Sequence, residues 1–491
     1  MTDVTGDGVG PVASRGRAVL VHPATERAAE RAAIEEYPVA YDLPGNGELT
    51  DQLLSPMWTS SRVWWPLFIV SGLLVVLFLY AMAVTFVRGI GAWGNNIPVA
   101  WAYGITDFVW WIGIGHAGTF ISAFLILLNQ HWRASVNRFA ETMTLFALIN
   151  ASLFPILHLG RPWFFYWLVP YPATTGVWPN FKSSLPWDVA AISTYFTVSL
   201  LFWYLGLVPD LAAARDRAPG LWRRRIYGIF ALGWRGSSNE WRHYRVAYTL
   251  LAGLATPLVI SVHSIVSLDF AITQLPGWHS TIFPPYFVVG AIYSGLAMVL
   301  LLILPARRVF RLENIITSAH LSNIAKLMLA TGSMLAYSYM CEAFMAWYSG
   351  DPYEHYTMLV ARPMGPYAVV FWLMICANVV TPQIFWWRKM RTSVVALFIA
   401  SLLIFAGMWC ERFIIIVGSL NRDFLPSSWH FYAPTWVDLS LLFGSIGLFC
   451  FLFLAFLRWV PMVPVSEVKR LRFELLRAGG LPRNGRRTVA R

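Results

Sequence analysis

Polar and apolar positions in this chain alternate in blocks, not residue by residue. After 63 mostly polar residues, runs of about 20 or more apolar residues recur to near residue 460, separated by shorter polar connections. As a helix, a run of that length crosses about 30 Å of hydrocarbon. Ten spans are predicted, near 64–87, 108–130, 139–158, 188–209, 246–272, 284–305, 324–348, 364–387, 394–418 and 436–459. The expected fold class is an all-α polytopic membrane protein with about ten transmembrane helices. Ten crossings put both termini on the same side.

Composition narrows the field. Of 491 residues, 57% are hydrophobic and 13% charged, about half the usual charged fraction. A soluble chain of this length needs far more surface charge. A disordered protein, a nucleic-acid binder and a secreted disulfide scaffold are all excluded by this balance. Cys341, Cys376, Cys410 and Cys450 each lie inside an apolar run, and no two form a C-x-x-C pair. Covalent c-type haem attachment is therefore excluded, cysteine-ligated iron–sulfur or zinc sites are disfavoured, and the four read as small core residues.

Charge then orients the chain. The connections after spans 2, 4, 6 and 8 carry 17 Lys or Arg residues, including Arg133, Arg138, Arg215, Arg307 and Lys389. The odd connections carry 5: Arg88, Arg161, Lys182, Arg362 and Arg422. The even connections and both termini are accordingly expected in the cytoplasm, and a net charge of +12 becomes a topology signal that needs no nucleic-acid partner. Residues 1–63 read as a flexible cytoplasmic arm or a docking segment for another subunit, with span 1 as an uncleaved insertion signal. The outer connections WFFYWLVPYP (163–172), PGWHSTIFPPY (276–286) and SSWHFYAPTW (427–436) are aromatic and poor in charge, suiting a surface covered by a partner protein.

Ionisable side chains inside spans are costly, so each is a functional candidate. His116 lies about 12 Å below the outer end of span 2. Span 3 ends at His158, followed by Arg161; span 4 begins at Asp188. Span 5 carries His263, Ser264 and Asp269, span 7 carries Tyr339 and Glu342, and span 9 carries Glu411 and Arg412. Nearly all fall in the outer half of the membrane, where His158 and Asp188, on sequential antiparallel spans, come to one level. Each also has a structural reading: a packed histidine among glycines for His116, an interfacial ion pair for His158, Arg161 and Asp188, an internally paired charge for Glu411 and Arg412. A b-type haem reading would use His116 and His131, 15 apart on span 2, but no second span offers a matching pair. No Walker motif, nucleophile elbow or H-E-x-x-H is present.

Histidines and carboxylates among aromatic residues suit a lipophilic redox carrier. A quinol loses two protons with two electrons; a histidine accepts one proton, and a neighbouring carboxylate orients it or takes the second. The electrons need an acceptor, which a partner above the cluster would supply.

GIGHAGTFISAFLILL at 113–128, HLGRPW at 158–163 and SVHSIVSLDFA at 261–271 resemble the NrfD/polysulfide-reductase membrane-subunit family over roughly residues 60–460. Within it the likeness is to the branch of bacterial alternative complex III (the ActC type), which ten spans also match. The resemblance implies a haem-free quinol-oxidising subunit, taking menaquinol or ubiquinol, in the bacterial cytoplasmic membrane. It implies as partners an extracytoplasmic iron–sulfur subunit, multihaem cytochrome c subunits and a homologous NrfD-like membrane subunit. It also implies two four-helix bundles, spans 2–5 (108–272) and 6–9 (273–418), flanked by span 1 with its connection (64–107), span 10 (419–460) and a basic cytoplasmic tail (461–491). The quinol site would lie in the first bundle at His116, His158, Asp188, His263 and Asp269. For proton translocation, a further property of the family, the sequence offers Glu141, Asn150, Tyr248 and Thr249. The alternatives are a secondary transporter, expected to show broken helices and charges near the midplane, and a purely structural membrane anchor.

Overall fold

The computed structural model describes residues 38–59, 61–168 and 185–477. Residues 1–37 of the expected arm, part of the 163–172 aromatic stretch, Lys182 and the tail from 478 lie outside the described residues.

All regular elements among the described residues are helices: α1 (Asn46–Trp58), α2 (Trp64–Arg88), α3 (Tyr103–Leu127), α4 (Asn137–His158), α5 (Leu185–Arg217), α6 (Leu221–Phe230), α7 (Ser238–Ala271), α8 (Phe283–Val309), α9 (Ser318–Tyr348), α10 (Ala368–Ile375), α11 (Val394–Leu420), α12 (Trp436–Trp459) and α13 (Val465–Arg477), joined by short helical turns. α10 continues as a π-turn, Cys376–Val380, and a 3-10 stretch, Thr381–Trp386. Nine described helices are long and apolar enough to cross a membrane, and each falls on a predicted span. The remaining span, 324–348, is α9. At 31 residues it is long enough, but Thr331, Ser333, Ser338 and Glu342 make it less apolar than the others. The protein is an all-α polytopic membrane protein.

α3, α4, α5 and α7 contact one another in a closed ring, and α8, α9, the α10 segment and α11 form a second. α8 joins the rings by packing on both α3 and α7, while α2 pairs with α12 outside the first ring. α3 is the most enclosed helix, with 83% of its most apolar stretch buried against 17% for α2. Lipid tails are as apolar as leucine, so helices in a membrane associate by close packing, and small residues permit it. A Cβ on Gly118 of α3 would stand 1.9 Å from the Ala140 carbonyl oxygen of α4, and one on Gly295 of α8 would stand 1.9 Å from the Cβ of Ala117. The glycines around His116 are thus where neighbouring backbones touch.

Three sequence expectations are corrected. First, α5 runs on through Pro209 and Asp210 to Arg217, and α7 starts eight residues early, where Ser237 and Glu240 cap each other's backbone. Second, Arg138, counted among the loop charges, is buried and paired with Asp210 at 2.9 Å. Third, the described part of the N-terminal arm is not free. Leu49, Leu53 and Leu54 of α1 are buried, the Tyr41 amide donates to the Asn314 carbonyl, and Asp51 pairs with Arg217 at 2.9 Å. This stretch docks on its own chain, against α5, α12 and α13.

The Gly118 contact gives a direct test. Because the opposing atom is backbone, Gly118→Val is expected to destabilise the protein by about 3 kcal/mol or more, seen as loss of monodisperse protein and a lower Tm in detergent. Gly253→Ala, where a Cβ meets nothing within 4 Å, leaves both unchanged.

Candidate functional site

The interior polar groups form three clusters. The first is built on α3 and α7. His116 lies halfway along α3, deeper along its helix than expected because α3 begins at Tyr103. Its Nδ1 stands 2.8 Å from Nδ1 of His263, and both side chains are fully buried. Two imidazole nitrogens at that distance share one proton: one ring donates and the other presents its lone pair. The Nε2 of each ring is buried without a well-formed hydrogen bond. Tyr195 of α5 holds the α3 backbone here. Its hydroxyl donates to the Gly115 and His116 carbonyls, both at 3.1 Å, and its ring packs 4.7 Å from His116.

Nearer the aromatic end, Asp188 of α5 and Asp269 of α7 lie close together and are both buried. Two carboxyl groups buried side by side repel when both are ionised, so this pair, like the histidines, is suited to hold one proton in common. Asp269 is six residues, about 9 Å of helix, from His263. Aromatic rings fill the space around it. His263 packs on Phe287, Phe287 on Phe270, Phe270 on Trp101 and Trp278, and Trp101 on His158. His158 therefore reaches the cluster through Trp101, and its buried Nδ1 has no hydrogen-bond partner. The expected structural pairing with Asp188 gives way to the Asp188–Asp269 contact. Arg161 is exposed, and Ser264 donates to the Ile260 carbonyl of its own helix, so neither joins the cluster.

The second cluster occupies the other ring of helices. Glu411 and Arg412 of α11 form a buried ion pair at 2.9 Å, the Tyr339 hydroxyl donates to Glu411, and Asn378 from the π-turn donates to the Tyr339 hydroxyl at 3.0 Å. Glu342 is buried one turn further along α9. Arg412 also lies 4.1 Å from the centre of the Phe287 ring, whose other contacts include His263. Tyr339, Glu342, Glu411 and Arg412, read as supports of the histidine site, thus sit on the second ring of helices and meet the histidine site at Phe287.

The third cluster lies toward the basic end. Glu141 of α4 accepts from Ser122 of α3 at 2.6 Å and from Tyr248 of α7 at 2.9 Å. Arg138 bonds Asp210 and the Gly206 carbonyl beneath it. One turn further in, Thr119 donates to Ser199 at 3.2 Å and its amide donates to Thr144 at 2.8 Å. These hydroxyls also lie close to the Tyr195 hydroxyl, so polar side chains run from Glu141 to the histidines with steps of about one helical turn. A vestibule of about 940 Å³, lined by Arg133, Tyr248, Thr249 and Glu467 among others, opens at the basic end. Of the four expected path residues, Glu141 and Tyr248 meet, Thr249 is exposed on the vestibule wall, and Asn150 donates to the Phe146 carbonyl of its own helix.

The chain carrying these groups is similar over most of its length to known proteins. Residues 91–422 match the family model described as polysulphide reductase, NrfD. The chain belongs to the NrfD family. It is 24% identical over 437 residues to a Halobacterium salinarum protein that carries the name of a dimethyl sulfoxide reductase membrane subunit, covering 84% of this chain and 93% of that one. It is 21% identical over 381 residues to a selenate reductase subunit of Mesobacillus selenatarsenatis, covering 74% of this chain and 86% of that one. Membership of the NrfD family places this multi-pass chain among membrane subunits of oxidoreductase complexes.

Sequence reading missed Tyr195, Asn378 and Asp210. Tyr195 and Asn378 are ordinary residues within apolar runs, and Asp210 followed a proline at the predicted end of its span. Asp210→Asn leaves the buried Arg138 without its counter-charge and is expected to cost about 3 kcal/mol, read as a fall in Tm of the purified protein. Replacing both partners, Arg138→Met with Asp210→Leu, restores most of that loss.

Proposed function

We propose that this chain is the quinol-oxidising subunit of an assembly of the alternative complex III type (ActC-like), seated in a bacterial cytoplasmic membrane with its basic end inward. The observation that supports this reading is the stacking of two proton-sharing pairs, His116–His263 below Asp188–Asp269, in an aromatic surround. Oxidation of a quinol releases two protons and two electrons. The histidine pair, with one lone pair open to a proton, accepts from one hydroxyl, and the carboxyl pair accepts from or orients the other. His158, behind Trp101, and the aromatic rings supply an apolar slot wall suited to a flat ring, menaquinol or ubiquinol. The electrons pass to an extracytoplasmic iron–sulfur subunit on the aromatic end and onward to multihaem cytochrome c subunits, with a homologous NrfD-like subunit alongside. This chain contributes no haem ligands to that route.

Proton translocation forms the second half of the proposal. The succession Glu141, Ser122, Thr119, Ser199 and Tyr195 supports a relay between the basic-end vestibule and the histidines.

One observation favours a transporter instead. Span 8 is broken at Asn378, beside the buried Glu411–Arg412 pair, as ion-binding spans often are. Among the described residues this is a single broken span without an opposed partner, which argues for the redox reading, in which the second cluster supports Phe287.

In the purified complex, His263→Ala and Asp269→Asn are each expected to reduce quinol-dependent electron transfer at least 100-fold while all subunits remain assembled. Full activity in either variant defeats the site assignment. Ser122→Ala is expected to leave electron transfer within about threefold while reducing proton uptake from the basic side in proteoliposomes. Unchanged proton-to-electron stoichiometry overturns the relay.

A further inference from the structure

One cavity is used by none of these clusters. A groove of about 470 Å³ lies where α2 and α12 face α8 and α11. Its walls are apolar, among them Leu67, Leu302, Phe405 and Phe453, and it runs from the basic end toward the middle of the helices. Trp111 closes its inner end, with its indole N–H held by Ser445. α12 follows it from Ile446 to Leu457, about 16 Å. The histidine pair is absent from its lining, so it is not the quinol slot.

The mouth has different chemistry. Arg458 lines it, and its Nη1 is buried without a hydrogen-bond partner. Arg223 of α6 stands nearby, its guanidinium 5.4 Å from the Trp58 ring. Both charges act on the hydroxyl of Tyr227, which donates to the Trp459 carbonyl at 3.0 Å. Neither arginine has a carboxylate ion pair among the described residues. An unsatisfied buried guanidinium N–H costs free energy that an anionic acceptor recovers, and a phosphate is the acceptor available at the edge of a bilayer. An apolar cleft facing hydrocarbon is filled by hydrocarbon.

We propose that the groove is a specific site for one anionic phospholipid, with an acyl chain between α2 and α12 and its phosphate on Arg458 and Arg223. The lipid then completes the packing of the α2–α12 pair on α8, and its charge selects it over zwitterionic lipids.

The test uses the full-length chain in its complex, stripped of lipid in detergent and titrated with phosphatidylglycerol or phosphatidylcholine of equal chain length. Native mass spectrometry and Tm are the readouts. One retained phosphatidylglycerol per chain, bound at least tenfold more tightly than phosphatidylcholine and raising Tm, is the expected result. Arg458→Gln lowers that preference at least fivefold, and Leu302→Trp, which fills the groove without touching the charge, removes retention of both lipids. Equal binding of the two lipids, or retention unchanged by both substitutions, overturns the proposal. A stabilisation reproduced by inorganic phosphate alone also overturns it, because the groove would then play no part.

Discussion

The 2.8 Å contact between His116 and His263 exists only if α3 and α7 come together while both rings are shielded from lipid and water. A bilayer offers no hydrogen bonds to an imidazole that strays, so the partner of each Nδ1 must come from within the protein. The helices around α3 meet that condition by enclosing it on every side. Gly118 brings in α4, Ala117 and Gly295 bring in α8, and the Tyr195 hydroxyl fastens α5 to the α3 backbone beside the histidine. Fold and site are consequently one problem here: the glycines that let the helices touch also set the distance between the rings.

Charge in the interior is handled in two ways, according to depth and purpose. Arg138–Asp210 and Glu411–Arg412 neutralise each other as ion pairs, an arrangement whose desolvation cost roughly offsets its attraction. Asp188 with Asp269, and His116 with His263, are instead pairs suited to hold one proton in common. The ion pairs are closed to exchange because removing either partner leaves a bare charge. The proton-sharing pairs are open to it, since gaining or losing a proton alters charge by a single unit at a site already holding one between two groups. Phe287 is in contact with both kinds, packing on His263 and on Arg412.

The spans were legible because a membrane imposes length and apolarity on every crossing helix, and the deep residues His116, Asp188, His263 and Asp269 stood out against that background. Depth is a single coordinate, however. It placed Tyr339, Glu411 and Arg412 at the level of the histidines without telling that they belong to another ring of helices. Tyr195 and Asn378 were hidden for a different reason: a tyrosine or asparagine in an apolar run carries no charge to mark it. Arg138 misled because a basic residue near a span end reads as a loop charge until its partner is seen. The described stretch of the N-terminal arm misled by composition, since its few leucines, spaced along α1, were diluted by polar neighbours that face outward.

The pairing of α2 with α12 has a consequence for how the protein is made. Of the described membrane helices, the first to leave the ribosome finds its partner in the last, nearly 400 residues later. At ordinary rates of synthesis, about 5–20 residues per second, α2 waits roughly 20–75 s in the bilayer before Gly447 arrives to receive Leu74. During that interval the two helix rings can assemble without it. Insertion of the final span then acts as a clasp, closing a structure whose core has already formed.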